Sequence, residues 1–217
     1  MIDLSRYIIH DLTHTFDDKI DGFTSEPART IDKDGWNART LKIYSHAGTH
    51  MDAPVHFGAG DFTIDQYTPA ELMSKALIVD VEVNVAKFLI ELDDISDQLS
   101  KFNDGESLIF RTGWGKKYDQ PEYKFDLPRI SDDLAHWCVD HRVKMLGVEP
   151  HSVADTQDLE EVTRIHHILL GGNVIIIEGL KNLEQIKSKE VFLMALPLKI
   201  ANGDGAPARV VAFEDNK

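Results

Sequence analysis

Residues 45–57 read SHAGTHMDAPVHF, and we expect the rest of the chain to be organised around this stretch. It places three histidines and one aspartate within a short span: His46, His50, Asp52 and His56. Pro54 disfavours a helix here, because proline pushes the residue before it out of the α region. We therefore predict a turn that runs into an extended segment, in which alternate side chains share a face. On that face lie His50, Asp52 and His56, and a bend at Gly48 lets His46 join them.

Imidazoles and a carboxylate on one face form a ligand set for a first-row metal ion, with room left for water. The alternative is that these residues are ordinary polar side chains of a loop. Four candidate ligands, spaced by four, two and four residues and interrupted by glycine, threonine and proline, favour the metal site.

The stretch also resembles the signature of a known family, H-x-G-T-H-x-D-x-P-x-H-F. Every fixed position is met, by His46, Gly48, Thr49, His50, Asp52, Pro54, His56 and Phe57. This is the pattern of the cyclase family of metal-dependent hydrolases, which includes bacterial kynurenine formamidases and isatin hydrolases. The resemblance implies a swivelling β/β/α fold and hydrolysis of a C–N bond in a small amide or cyclic amide. It also implies a homodimer or homotetramer in which a neighbour helps to close the cleft.

Residues further along the chain complete the predicted site. Glu178 follows the apolar run at 174–177, and a carboxylate at the end of a buried strand must be paired or bound to metal. The family pattern includes a distal His and Glu twelve residues apart, and His166 and Glu178 reproduce that spacing, whereas the adjacent His167 does not. The alternative for Glu178 is a salt bridge with Lys181 or Arg164.

These residues together define the predicted chemistry. The predicted metal ligands are His46, His50, Asp52, His166 and Glu178. They suit zinc or manganese, as one ion or as two ions bridged by Asp52. Such an ion lowers the pKa of a bound water toward neutrality and polarises a substrate carbonyl. His56 is left outside the ligand set, and both its place in the stretch and the resemblance make it the general acid/base.

The sequence leaves more than one candidate for the substrate. Phe23 and Trp36 are the only aromatic residues of the 17–36 segment, and we predict that they and Phe57 contact the substrate. N-formylkynurenine, which would make the protein a kynurenine formamidase, and isatin-like lactams are both candidates. A family member that binds a small molecule or metal without turnover is the non-enzymatic alternative.

Length and composition restrict the class of protein. The 217 residues predict one α/β domain, 1–217, with a mixed sheet. A formal net charge of −14 disfavours nucleic acid and anionic membranes as partners, because their phosphates would repel this surface. Cys138 is the sole cysteine, so neither an intrachain disulfide nor a multi-thiolate site is available. The first residues do not resemble a signal peptide, and we predict a cytoplasmic protein.

Hydrophobic periodicity places the elements along the chain. Strands are predicted at 7–9, 39–44, 76–81, 107–111, 144–148, 174–177, 191–198 and 208–213. Helices are predicted at 69–72, within 85–99, at 131–141 and at 158–170. Loops are predicted at 17–34 and 116–128.

Overall fold

The computed structural model describes residues 3–216, and within that range the chain forms an α/β fold. The strands are β1 (Tyr7–Asp11), β2 (Phe23–Arg29), β3 (Ala38–Ile43), β4 (His50–Asp52), β5 (Met73–Asp80), β6 (Leu89–Ile90), β7 (Ser107–Arg111), β8 (Arg129–Ile130), β9 (Met145–Val148), β10 (Ile175–Glu178), β11 (Glu190–Pro197) and β12 (Gly205–Asp215). The α-helices are α1 (Ile31–Asp34), α2 (Leu92–Leu99), α3 (Glu122–Phe125), α4 (Asp132–Asp140) and α5 (Leu159–Gly171). Short 3-10 helices span Leu4–Arg6, Pro54–Phe57, Ile64–Gln66, Trp114–Lys117 and Leu183–Gln185.

The main sheet has the strand order β1-β12-β11-β5-β7-β9-β10-β4. Strands β5, β7, β9 and β10 are parallel, and the other pairs are antiparallel. Because β4 also pairs with β12, the sheet closes on itself into a barrel-like arrangement. The predicted mixed sheet is confirmed, and its closure brings the 45–57 segment between two strands from the second half of the chain.

The core lies on both sides of the parallel strands. Side chains alternate along β10, so Ile176 packs in the cluster shared with helices α2, α4 and α5, while Ile177 packs in the cluster inside the barrel. Strands buried on both faces carry continuous apolar runs, and this is why β7 and β10 could be recognised from sequence.

The two longer predicted helices begin where their capping residues indicate. The Ser131 hydroxyl accepts a hydrogen bond from the Leu134 backbone N–H at the start of α4. The Asp158 carboxylate accepts hydrogen bonds from the backbone N–H groups of Glu160 and Glu161 at the start of α5. These side chains satisfy N–H groups that have no partner within the helix.

Three predicted segments differ in the structure. Residues 17–34, predicted as a loop, contain β2, which pairs with β3 in a separate hairpin, followed by α1. Every residue of β2 is exposed or only half-buried, so this strand lacks the apolar alternation by which its partner β3 is correctly predicted at 39–44. The predicted helix at 69–72 is a turn, and the predicted loop at 116–128 contains α3. Among the described helices, none is long and apolar enough to cross a membrane.

Candidate metal centre

Strand pairing brings the two halves of the site together. Strand β4 lies between β10 and β12, and its register places His50 directly opposite Glu178 on one side and Pro207 on the other. Directly paired residues on antiparallel strands have side chains within contact distance. The distal carboxylate predicted from the sequence therefore meets the histidine motif through β-sheet register.

The turn before β4 is held against the end of β10. Gly48 and Gly179 have positive φ values of 62° and 68°, and a Cβ added to Gly179 would lie 2.4 Å from the Gly48 carbonyl oxygen. The buried Thr49 hydroxyl donates a hydrogen bond to the Gly179 carbonyl at 2.6 Å and accepts one from the His14 N–H at 2.9 Å. These contacts position His46 and His50 relative to Glu178.

Asp52 lies at the centre of the site and is 1% exposed. Its Oδ1 is 2.9 Å from His46 Nδ1 and 3.6 Å from His50 Nε2, and its Oδ2 is 3.6 Å from His166 Nε2. Glu178 lies opposite, with Oε2 at 3.1 Å from His50 Nε2 and Oε1 at 3.5 Å from His166 Nε2. The structure therefore brings all five residues predicted as ligands into one buried cluster.

The donor set fits a divalent cation. Among the described residues, Asp52 Oδ2 is a buried oxygen without a hydrogen-bond donor, which is costly unless a cation or proton satisfies it. His50, Asp52 and Glu178 offer ligand atoms within 4.8 Å of one another, and His46, Asp52 and His56 do the same. Three imidazoles and two carboxylates without thiolate suit zinc or manganese.

The outer nitrogens of two histidines are held by backbone carbonyls. His50 Nδ1 lies 3.0 Å from the Gly48 carbonyl, and His166 Nδ1 lies 2.7 Å from the Val162 carbonyl. A carbonyl only accepts, so each Nδ1 carries the proton and each Nε2 is left as the ligand atom. A second partner of this kind fixes both the tautomer and the orientation of a metal-binding histidine.

In the metal-free protein the carboxylates of Asp52 and Glu178 raise the pKa values of the three histidines predicted as ligands. Burial alone lowers the pKa of His46, but the hydrogen bond and charge of Asp52, with a smaller contribution from Asp204, raise it to about 8. Burial also lowers the pKa values of His50 and His166, but the hydrogen bonds and charges of nearby carboxylates, mainly Glu178, outweigh burial and raise both pKa values. Protons thus occupy positions that a cation would take, and metal binding would release them.

His56 lies beside this cluster, on the 3-10 helix Pro54–Phe57. The extended segment predicted to carry His56 ends at Asp52 instead, because Pro54 begins this helical turn. Its ring stacks on the His46 ring at a centroid distance of 3.7 Å and an interplanar angle of 19°. Burial lowers the pKa of His56, so the imidazole is neutral near pH 7 and able to accept a proton. Phe57 stacks on the His166 ring at 4.2 Å and packs against the helical core cluster.

A cavity of about 900 Å³ opens beside His46 and Gly48. Its remaining lining residues are Lys19, Asp21, Gly22, Tyr44, Tyr118, Asp119, Gln120, Pro121, Tyr123, Lys124, Phe125 and His151. Lys19 pairs with Asp119, and Lys124 pairs with Asp21, so two ion pairs join the walls formed by residues 19–22 and 118–125. The cavity has the size of a small-molecule site, and its walls include the aromatic rings of Tyr44, Tyr118, Tyr123 and Phe125.

The contact of Phe23 and Trp36 with substrate stays a prediction. Neither belongs to the described residues that line the cavity, and Trp36 is 58% exposed between β2 and β3. Their segment forms a hairpin strand followed by a helical turn, where the sequence predicts a loop. Phe57 packs against two site histidines, His56 and His166, and its contact with substrate stays a prediction.

Sequence reasoning missed several residues near the site. Asp204 approaches His46 and His56, and the tyrosines of the cavity come from segments without a recognisable motif. His10 on β1 and His14 in the loop that follows β1 are both buried, each 7% exposed. His14 stacks on the cavity residue Tyr118 at 4.0 Å, and burial lowers its pKa to about 4. The signal that was available for Asp204 was its position in the GDGAP segment, directly before a predicted strand.

Comparison with known proteins identifies the family. The Cyclase family model, described as "Putative cyclase", matches residues 10–155. The chain belongs to the cyclase family. A kynurenine formamidase of Salinibacter ruber (strain DSM 13855 / M31) is 30% identical over 213 residues, which cover 97% of this chain and 96% of that protein. This relative extends the likeness beyond the matched model, so the resemblance predicted from residues 45–57 is confirmed.

Solved structures of the cyclase family share the fold of this chain. Isatin hydrolase A from Labrenzia aggregata superposes with a TM-score of 0.89 at 22% identity, covering 98% of this chain and 95% of that chain. A structure described as a "potential metal-dependent hydrolase with cyclase activity" has a TM-score of 0.77 at 24% identity and covers 97% of this chain and 100% of that one. The predicted α/β class is confirmed by these likenesses.

Proposed function

We propose that this cyclase-family protein is a metal-dependent hydrolase that cleaves the C–N bond of a small amide or cyclic amide. The observation that carries the proposal is one buried cluster of three histidines and two carboxylates, in which Oδ2 of Asp52 has no hydrogen-bond partner among the described residues. Membership of a family with relatives named kynurenine formamidase and isatin hydrolase supports the reaction class.

The proposed ligands are His46, His50, Asp52, His166 and Glu178. A zinc or manganese ion held by them would supply an acidified water and positive charge beside the substrate carbonyl. Asp52 faces His46 with Oδ1 and His166 with Oδ2, so its carboxylate is suited to bridging two ions as well as to binding one. The Val153 N–H donates to Glu178 Oε1 at 2.8 Å and fixes that carboxylate on the metal side.

His56 is the proposed proton shuttle. It is neutral because burial lowers its pKa, and its stacking on His46 places it at the edge of the ligand cluster. In the forward reaction it takes a proton from the attacking water and delivers it to the leaving nitrogen. The neighbouring cavity, lined by Tyr44, Tyr118 and Tyr123, holds the organic part of the substrate and limits the access of other water.

The direct test replaces His56 by alanine, with His136→Ala, an exposed histidine on α4, as the control. We expect His56→Ala to retain metal and to lower kcat about 10²- to 10⁴-fold, the range for a lost general acid/base. Metal content by mass spectrometry and turnover of a panel of amides and lactams measure the two effects. Because His56 also lies within ligand reach of His46 and Asp52, loss of metal in parallel with activity would instead make it a ligand.

A kynurenine formamidase activity is the finer candidate. Its support is the relative from Salinibacter ruber and the aromatic cavity, which suits an aryl amide. Release of formate from N-formylkynurenine, compared with ring opening of isatin, distinguishes the two substrate classes. Absence of turnover on either class, and on simple amides, by a metal-loaded protein would favour the non-catalytic binding role.

We propose a homodimer or homotetramer on the basis of the hairpin β2–β3. A two-stranded hairpin is marginally stable alone, yet this one exposes Trp36 and Leu41, each more than half accessible. A second copy is the proposed cover, and light scattering of the wild type and of Trp36→Glu tests it. We expect a fall in mass for the variant, whereas a monomeric wild type would refute the proposal. The cytoplasmic location stays a prediction.

A further inference from the structure

Asp204 is joined to the histidine motif although the two are far apart in sequence. Its backbone carbonyl accepts a hydrogen bond from the Ala53 N–H at 2.9 Å, and the next residue, Gly205, is paired with Asp52. The Asp204 carboxylate is held over the motif by these backbone contacts. Its Oδ2 lies 3.1 Å from His46 Nε2, 3.8 Å from His56 Nδ1 and 3.4 Å from the Ser45 hydroxyl.

His46 differs from the other two histidine ligands in how its outer nitrogen is held. His50 and His166 donate to carbonyls two and four residues away in their own segments. His46 Nδ1 points to Asp52, and its Nε2 points to the Asp204 side chain, 158 residues away. A carboxylate that receives the outer N–H of a metal-binding histidine sets its tautomer and raises its basicity more than a neutral carbonyl does.

Packing restrains the same ring. A Cβ added to Gly205 would lie 2.6 Å from His46 Cε1, so the imidazole rests directly on the Gly205 backbone. The His46 ring also stacks on His56, which presents Nδ1 to the same Asp204 oxygen. One carboxylate therefore faces a nitrogen of each member of this stacked pair.

We propose that Asp204 is a positioning residue that orients His46 toward the metal and keeps His56 stacked beside it. This inference rests on the proposed function, because it assigns a role within the same site. Asp204 acts through the two histidines and does not bind the ion itself. Its side chain is 48% exposed and lies on the side of His46 away from Asp52, which agrees with a position outside the ligand set.

The test compares Asp204→Asn with the control Asp65→Asn. Asp65 anchors the same loop, because its Oδ1 accepts a hydrogen bond from the Asn202 N–H, but it makes no contact with the histidines within the described part of the chain. Zinc affinity is measured by competition with a chromophoric chelator. Kinetic constants are measured at saturating zinc, and the His46 Nε2–H signal is followed by NMR in the zinc-loaded protein.

We expect Asp204→Asn to weaken zinc binding about 10- to 100-fold, the usual effect of losing an outer partner of a metal-binding histidine. At saturating zinc, kcat should fall with KM little changed, and the His46 Nε2–H signal should shift or broaden. Asp65→Asn should match the wild type in all three measurements.

Two results would overturn the inference. Unchanged zinc affinity and an unchanged Nε2–H signal in Asp204→Asn would make its contact with His46 incidental, even if the wild type hydrolyses amides. Failure of Asp204→Asn to bind zinc at a concentration that saturates the wild type would make Asp204 a ligand instead of a positioning residue. If the wild type hydrolyses no amide but Asp204→Asn shows the expected loss of zinc affinity and the changed His46 Nε2–H signal, the proposed function fails while the role of Asp204 at the metal stands.

Discussion

Asp52→Asn is the most informative single substitution in this site. The change keeps the shape of the side chain and removes one negative charge from a position that is 1% exposed. Among the described residues, Asp52 alone has oxygens that approach His46, His50 and His166 together. A bound divalent ion would therefore lose one charged ligand, and the site would lack the group that links its two halves.

The magnitude follows from the burial of the charge. Removing one partner from a buried, charge-paired arrangement costs about 3–5 kcal/mol, because the remaining charge stays in a poorly solvated position. At about 1.4 kcal/mol for each tenfold change in a dissociation constant, this is a loss of roughly two to four orders of magnitude in metal affinity. The exposed Asp61, which follows the same motif, supplies the control Asp61→Asn, for which we expect no measurable change.

The assay is metal content per chain after dialysis against a series of buffered free zinc or manganese concentrations. The wild type should hold about one or two equivalents, and Asp52→Asn should need a much higher free metal concentration to reach the same content. Equal affinities for Asp52→Asn and the wild type would refute the reasoning, since the ion would then lie elsewhere. No binding by the wild type at excess metal would remove the proposed nucleophile altogether.

Three further predictions concern the scaffold and the protons of the site. Thr49→Val removes the hydroxyl that is hydrogen-bonded to the Gly179 carbonyl and the His14 N–H, and it leaves both buried backbone groups unpaired. The free energy of unfolding measured in urea should therefore fall by about 2–6 kcal/mol. A fall of less than about 1 kcal/mol would contradict this. Asp158→Ala removes the N-cap of α5 and should lower the free energy of unfolding by about 1 kcal/mol. Calorimetry should show a Tm about 2–4 °C lower. An unchanged Tm would show that the cap does not stabilise the protein. Because the pKa of His46 is raised to about 8, its proton must leave for metal to bind below that pH. Zinc affinity should therefore fall about tenfold or more per pH unit below about pH 8, and more steeply where His50 and His166 also hold protons, whereas a constant affinity from about pH 6 to 9 would exclude this competition.

Several elements of the fold are determined by local sequence. Strands β7 and β10 are continuous apolar runs because both of their faces are buried, and helices α4 and α5 begin at side chains that cap free N–H groups. The residue types and spacing of the 45–57 stretch likewise indicate a metal site, since imidazoles and carboxylates at such intervals suit few other roles. Each of these signals is contained within a few neighbouring residues.

The hairpin and the cavity depended on tertiary structure. Strand β2 is exposed or only half-buried throughout and gives no periodic apolar signal, so the sequence predicts a loop at 17–34, whereas its partner β3 agrees with the strand predicted at 39–44. The cavity walls join residues 19–22 to residues 118–125 through ion pairs such as Lys19–Asp119. Periodicity reports which face of an element is buried, but not which distant element covers it.

Some residues of the metal site are likewise determined by local sequence, and others are brought to it by tertiary structure. The sequence by itself determined the candidate ligands His46, His50 and Asp52, because their spacing and chemistry are local properties of one short segment. Only the tertiary structure decided that β4 lies between β10 and β12, which places Glu178 opposite His50 and brings Asp204 to His46. Strand register is set by the packing of side chains on both faces of a closed sheet, and that packing is a property of the whole chain.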